Sequence, residues 1–164
     1  MISLLFPGEY WVPLKDGDPM LSAIFRRHYS CRKYKDGRRD NPNYRNRHLV
    51  FGLGEYLGLI TTDLNAIFGW RKFISQAGED GINCAFFRNE GVKGNGRGYV
   101  WSSVLILEAE RWALKKWPNA TRFYTYVNGR VVKGDGKCFK MAGWKKLNRR
   151  TKNKGLIILE KVLL

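Results

Sequence analysis

Between Ile82 and Pro118 a compact apolar segment passes through a glycine-rich loop into an amphipathic segment, and this succession narrows the available folds more than any other stretch. Ile82-Asn83-Cys84-Ala85-Phe86-Phe87 is too short for a stable helix and rich in β formers, so it reads as a buried strand. It ends on Arg88-Asn89-Glu90, and four glycines follow between Gly91 and Gly98. Ser102 or Ser103 is then expected to cap a helix, Val104 to Trp117, that Pro118 stops. Ile106, Ala109, Ala113 and Trp117 share one stripe of that helix and Glu108, Arg111 and Lys115 another, so one face should pack and the other meet water. A strand, a glycine loop and a helix start bring backbone N–H groups together where an anion can bind.

Upstream, Tyr10-Trp11-Val12 suggests a short edge strand before Pro13. Asp18 and Pro19 mark a helix start, with Leu21, Ile24 and Phe25 on its buried side and an end near Tyr29. Residues 48–51, 56–60 and 66–71 read as an antiparallel meander, with turns at Gly52–Glu55 and Thr61–Asn65. Downstream, Arg122–Val127 alternates as a strand and Lys137–Ala142 makes a short helix. Gly143-Trp144 turns into a further strand, Arg149–Lys154 forms a basic hairpin tip, and Leu156–Glu160 closes the order. Neither a repeat nor a linker interrupts it, which points to one α/β (α+β) domain over 1–164.

The charge is lopsided. Lys and Arg number 30 against 14 Asp and Glu, a formal +16, while 44% hydrophobic residues suffice for a folded core. Such an excess repels itself and calls for a polyanionic partner, nucleic acid first. From Arg26 to His48 nine basic residues are interleaved with Tyr34 and Tyr44, the mixture that grips phosphate and stacks on bases, although a plain solvated charge run has the same composition. No apolar run is long enough for a membrane span, and the apolar start lacks a basic leader region. Three scattered cysteines, Cys31, Cys84 and Cys138, fit a reducing cytoplasm better than a disulfide framework, and Cys84 reads as a small buried hydrophobe.

This order of elements resembles the GNAT superfamily of N-acetyltransferases, whose sheet is mixed and largely antiparallel with flanking helices. Lys93-Gly94-Asn95-Gly96-Arg97-Gly98 is similar to the superfamily's glycine loop, which cradles the pyrophosphate of an acyl-CoA-type donor. Cys138-Phe139-Lys140-Met141-Ala142-Gly143-Trp144 looks like its later Tyr-Glu-Lys-x-Gly-Phe segment. Within the superfamily, Phe87-Arg88-Asn89-Glu90, Ser102-Ser103 and the upstream Arg27-His28-Tyr29-Ser30 resemble the Mom-type DNA-modification proteins of phages and prophages, over roughly residues 13–160. The resemblance implies transfer of an acyl-type group to the exocyclic amine of adenine in double-stranded DNA, shielding it from restriction in a bacterial cytoplasm. A non-catalytic nucleic-acid-binding protein on the same fold, or an acetyltransferase for protein or tRNA, are the alternatives.

On this reading Lys93, Gly94, Gly96, Gly98 and Ser102 would hold the donor. Arg27, Arg32, Lys33, Arg38, Arg39, Arg45, Arg47, Arg149 and Arg150 would hold DNA. Arg88 and Glu90 make either a surface ion pair or a working pair in which Arg88 orients and Glu90 takes a proton from the attacking amine. Ser103, Tyr124 and His28 complete the catalytic candidates, the first two against plainer duties as helix start and strand packing. His28, Cys31 and His48 make a weak metal signal; a metal at His28 is compatible with the resemblance, but nothing requires one.

Overall fold

A computed structural model describes residues 9–31, 33, 46–73, 78–94 and 98–164. It contains a seven-stranded, mostly antiparallel sheet and three helices among those residues, an α+β architecture as the sequence suggests. In chain order these are β1 (Trp11–Leu14), α1 (Pro19–Phe25), β2 (Glu55–Thr61), β3 (Ala66–Lys72), β4 (Ile82–Asn89), α2 (Ser102–Lys116), β5 (Arg122–Val127), α3 (Lys137–Met141), β6 (Lys145–Arg150) and β7 (Ile157–Val162). The sheet order is β1-β2-β3-β4-β5-β7-β6, so β7 lies between β5 and β6. Among the described residues only β4 and β5 run parallel, because α2 crosses over between them. No helix among the described residues is long and apolar enough to cross a membrane.

Each face of the sheet carries its own cluster. Under α2 and α3 lie Trp11, Phe68, Trp70, Cys84, Ile106, Phe123 and Trp144. Under α1 lie Leu21, Ile24, Ile60, Ile67 and Phe86. A bulge in β4 divides neighbouring residues between them: Gly69 faces Phe86 and Trp70 faces Cys84, leaving Ala85 without an opposite number. Cys84 and Phe87 therefore pack towards α2, and Ala85 and Phe86 towards α1. Position 69 has to be glycine, since a Cβ there would stand 2.4 Å from the Phe86 ring.

The expected helix starts hold in one case and shift in the other. Asp18 caps α1 by accepting from the Met20 N–H at 2.9 Å, with Pro19 at the first position. The helix ends at Phe25, and tighter turns carry the chain through Tyr29. Neither serine caps α2: the helix begins at Ser102, its N-cap is Trp101, and no side chain closes its first turn. Its apolar stripe is buried as expected, but Glu108 is buried as well rather than solvated. Its carboxylate accepts from the Tyr10 N–H at 2.7 Å and the Trp11 N–H at 3.2 Å, which fastens β1 to the helix. Residues 48–51 form no strand, because the Asp16 carboxylate takes the Val50 and Phe51 amides that a ladder would have used. Pro13 lies inside β1, which an edge strand tolerates.

Candidate functional site

The parallel pair is short. β4 and β5 are in register only from Ile82 opposite Phe123 to Cys84 opposite Thr125, while β4 continues to Asn89 and β5 to Val127. Past Cys84 the strands part, and a cavity of about 270 Å³ opens between them. His28, Tyr29, Asn83 and Tyr126 line it from the α1 side; Phe87, Cys138 and Phe139 line it from the α2 side. This gap in the sheet, beside the turns that follow α1 and the short helix α3, has six rings in its wall: His28, Tyr29, Phe86, Phe87, Tyr126 and Phe139.

His28 is a buried strut of this wall. Its Nδ1 lies 2.7 Å from the Ser30 hydroxyl and accepts from the Ser30 N–H at 3.2 Å, while its ring stacks on Tyr29 at 4.5 Å. Burial lowers its pKa from 6.5 to about 4, with the Arg88 charge acting in the same direction. With Nδ1 engaged by Ser30 and the ring buried, the geometry favours His28 as a positioning group. Among the described residues no three His, Cys, Asp or Glu side chains are grouped to hold a metal ion.

Arg88 and Glu90 do meet, and Arg27 joins them. Arg27 donates to both Glu90 oxygens at 2.7 and 2.5 Å, and Arg88 Nε donates to Oε2 at 2.7 Å. Hydrogen bonds from Arg27, reinforced by Arg88, hold the Glu90 carboxyl down at about 2. A carboxylate so firmly ionised is a poor base, which corrects the expectation that Glu90 takes the proton. Its duty is to clamp the end of α1 to the end of β4. Tyr124 is corrected too: it is fully buried beside Asn83, and Tyr126, two residues on, reaches the cavity. Burial raises the Tyr124 pKa, and its hydroxyl has no hydrogen-bond partner.

The glycine loop folds back on itself. The Val100 N–H donates to Val92 O at 2.8 Å and the Gly94 N–H to Gly98 O at 3.0 Å, with Lys93 bridged to Tyr99. Because the Lys93 N–H goes to Asp63, neither the Lys93 nor the Gly94 amide is free for an anion, contrary to the expected cradle. Gly96 lies outside the described residues, and Gly98 borders open space. What the region does offer is the uncapped first turn of α2. Ser102 Oγ accepts from Asn89 Nδ2 at 3.1 Å, tying that turn to the end of β4, and Ser103 is half-buried without lining the cavity.

Of the basic candidates, Lys33 and Arg47 are exposed, while Arg32, Arg38, Arg39 and Arg45 lie outside the described residues. Arg149 pairs with the buried Glu79, which also binds Arg122 at 2.8 Å. Arg150 is exposed and donates to Gly155 O, and that hairpin leads to Leu156 on the cavity wall. The C-terminal end of α1 and the β6–β7 hairpin, distant in sequence, thus flank one opening. Burial pushes the Cys84 thiol up, consistent with an inert small hydrophobe.

Sequence reasoning passed over Asn83. Its carboxamide is buried on the cavity wall, and its Oδ1 has no hydrogen-bond partner. The signal was there: a lone amide inside the apolar run from Ile82 to Phe87. Comparison of the chain with protein-family models, curated proteins and solved structures finds no match in any of the three.

Proposed function

We propose that this protein is a GNAT-type transferase that moves an acyl group from an acyl-CoA-type donor to an exocyclic amine of double-stranded DNA, adenine N6 foremost, in the manner of Mom-type phage proteins. The observation that carries the reading is the ring-walled cavity where the one parallel strand pair parts, beside an uncapped helix start, in a chain of charge +16. The chain order of the elements supports the same assignment. The first turn of α2 suits the donor's phosphates, and the α1 side of the cavity suits the acceptor. In the reaction the amine nitrogen bonds to the thioester carbonyl carbon, the C–S bond breaks, and the thiol departs with the proton released by the amine. Adenine N6 is a weak nucleophile because its lone pair is delocalised into the ring, so holding it in line is the main service required. Such a protein would act in the cytoplasm of an infected or lysogenic bacterium and guard DNA from restriction.

One observation favours a binding protein without catalysis: the Lys93 and Gly94 amides are already satisfied within the protein. Mass spectrometry of nucleosides from DNA co-expressed with the chain separates the two. A new nucleoside heavier by an acyl group is expected; unmodified DNA that co-purifies with the protein would leave only the binding role.

A further inference from the structure

The proposed target is out of reach in a closed duplex. An exocyclic amine on the pairing edge is hydrogen-bonded to its partner and covered by stacked neighbours, so an enzyme acting on it takes the base out of the stack. The cavity at the parting of β4 and β5 has the size for this. An engineered cavity of roughly 150 Å³ accommodates benzene, and at about 270 Å³ this one has room for one fused-ring base but not for a base pair. Its walls have the right chemistry: Tyr29, Phe86, Phe87, Tyr126 and Phe139 supply rings, and sequence-tolerant stacking on rings is how single bases are held. Arg27 and Arg88 adjoin the lining residues His28 and Phe87, where the phosphates flanking an extruded nucleotide would pass.

Resting on the proposed DNA-modifying function, we propose that this cavity receives a single extruded nucleobase carrying an exocyclic amine, and that Asn83 reads it. Asn83 is only 7% exposed, lines the cavity, and its Oδ1 has no hydrogen-bond partner. A buried amide oxygen left without a partner is costly, and its place on the wall of a cavity, in the apolar run from Ile82 to Phe87, suits a ligand that donates to it. A carboxamide offers an acceptor beside a donor, which pairs with an amino group next to a ring nitrogen, as in adenine and cytosine, and equally with the N3–H and O4 of thymine; Asn83 thus reads a polar pairing edge, and the demand for an exocyclic amine comes from the proposed reaction. The second unpartnered group, the Tyr124 hydroxyl, belongs to the neighbouring strand position opposite Asn83 but does not line the cavity, so Asn83 is the reader.

The test is a competition assay with no acyl donor present, using short duplexes that carry one adenine, cytosine or difluorotoluene (an apolar base isostere) opposite an abasic site, and a fully paired control. Because an unpaired base is the easiest to extrude, wild-type protein should bind the unpaired adenine and cytosine duplexes about tenfold more tightly than the control, and the difluorotoluene duplex less tightly than either. Asn83→Leu should lose the adenine and cytosine preference while keeping the affinity for paired duplex. Asn83→Val, a strand-favouring residue with no polar side-chain atom, serves as the second variant and should lose it likewise. Equal wild-type affinity for all four duplexes overturns extrusion into the cavity, whatever the variants do. A base preference that survives in a folded Asn83 variant overturns Asn83 as the reader. Modified nucleosides in co-expressed DNA together with equal affinities would sink this inference and leave the proposed function standing; the preference without modification would do the reverse.

Discussion

His28 makes the stability of this fold depend on pH in a window of its own. Buried and hydrogen-bonded as a neutral ring, it titrates at about 4 instead of 6.5. Between those values the unfolded chain binds a proton that the folded one refuses, so stability is complete above 6.5 and falls as the solution is acidified towards 4. At ~1.4 kcal/mol per pH unit, the loss reaches about 2.5 kcal/mol by roughly pH 4.5. Other groups titrate nearby: Glu90, held down at about 2, destabilises only below the ordinary carboxylate range, and Glu108, pushed up by burial, acts in the opposite sense. The decisive quantity is therefore the difference between wild type and His28→Gln, whose amide can still donate and accept but does not titrate. Urea unfolding followed by tryptophan fluorescence, from about pH 7.5 down to about 4.5, should show the wild type losing about 2.5 kcal/mol more than the variant. Curves that stay parallel within ~0.5 kcal/mol would refute a buried, neutral His28.

Three further substitutions probe other parts of the argument. Gly69→Ala drives a methyl into the Phe86 ring, which is already packed against Phe25 and Phe51, and should cost about 1–3 kcal/mol in denaturant unfolding. Glu108→Ala strips the half-buried Tyr10 and the buried Trp11 amides of their acceptor and should cost ~1–3 kcal/mol, with faster hydrogen exchange confined first to β1. Gly98→Val points a side chain into open space, so stability should stay within ~0.5 kcal/mol of wild type while nucleoside modification falls if the donor lies there. Unchanged modification in that variant would move the donor away from the loop.

Much of the fold was legible because its elements are local. The alternation from Arg122 to Val127, the apolar run at Ile82, the Asp18-Pro19 start and the Pro118 stop each act over a few residues, and each holds in the structure. The failures are places where a distant group intervened. Residues 48–51 look like a strand until Asp16, more than thirty residues away, takes their amides. Glu108 looks solvated until β1 lies across it, 97 residues distant in sequence. The serines at 102 and 103 look like caps until Asn89 claims one of them and the helix starts early.

The same division runs through the candidate site. Composition alone sets the basic excess, and with it the search for a polyanionic partner, because net charge is a sum that no fold alters. Periodicity alone sets which stripe of α2 is apolar and which run is a central strand. The parting of β4 from β5, the cavity it opens and the unpartnered Oδ1 of Asn83 exist only once the strands are paired and α2 has made its crossover. The clamp of Glu90 between Arg27 and Arg88 likewise joins the end of α1 to the end of β4 across 63 positions. A sequence pattern reports which residues face together on one element; what lies opposite that face is decided by the packing of elements far apart in the chain, and the electrostatics of Glu90 and His28 follow from those opposite groups.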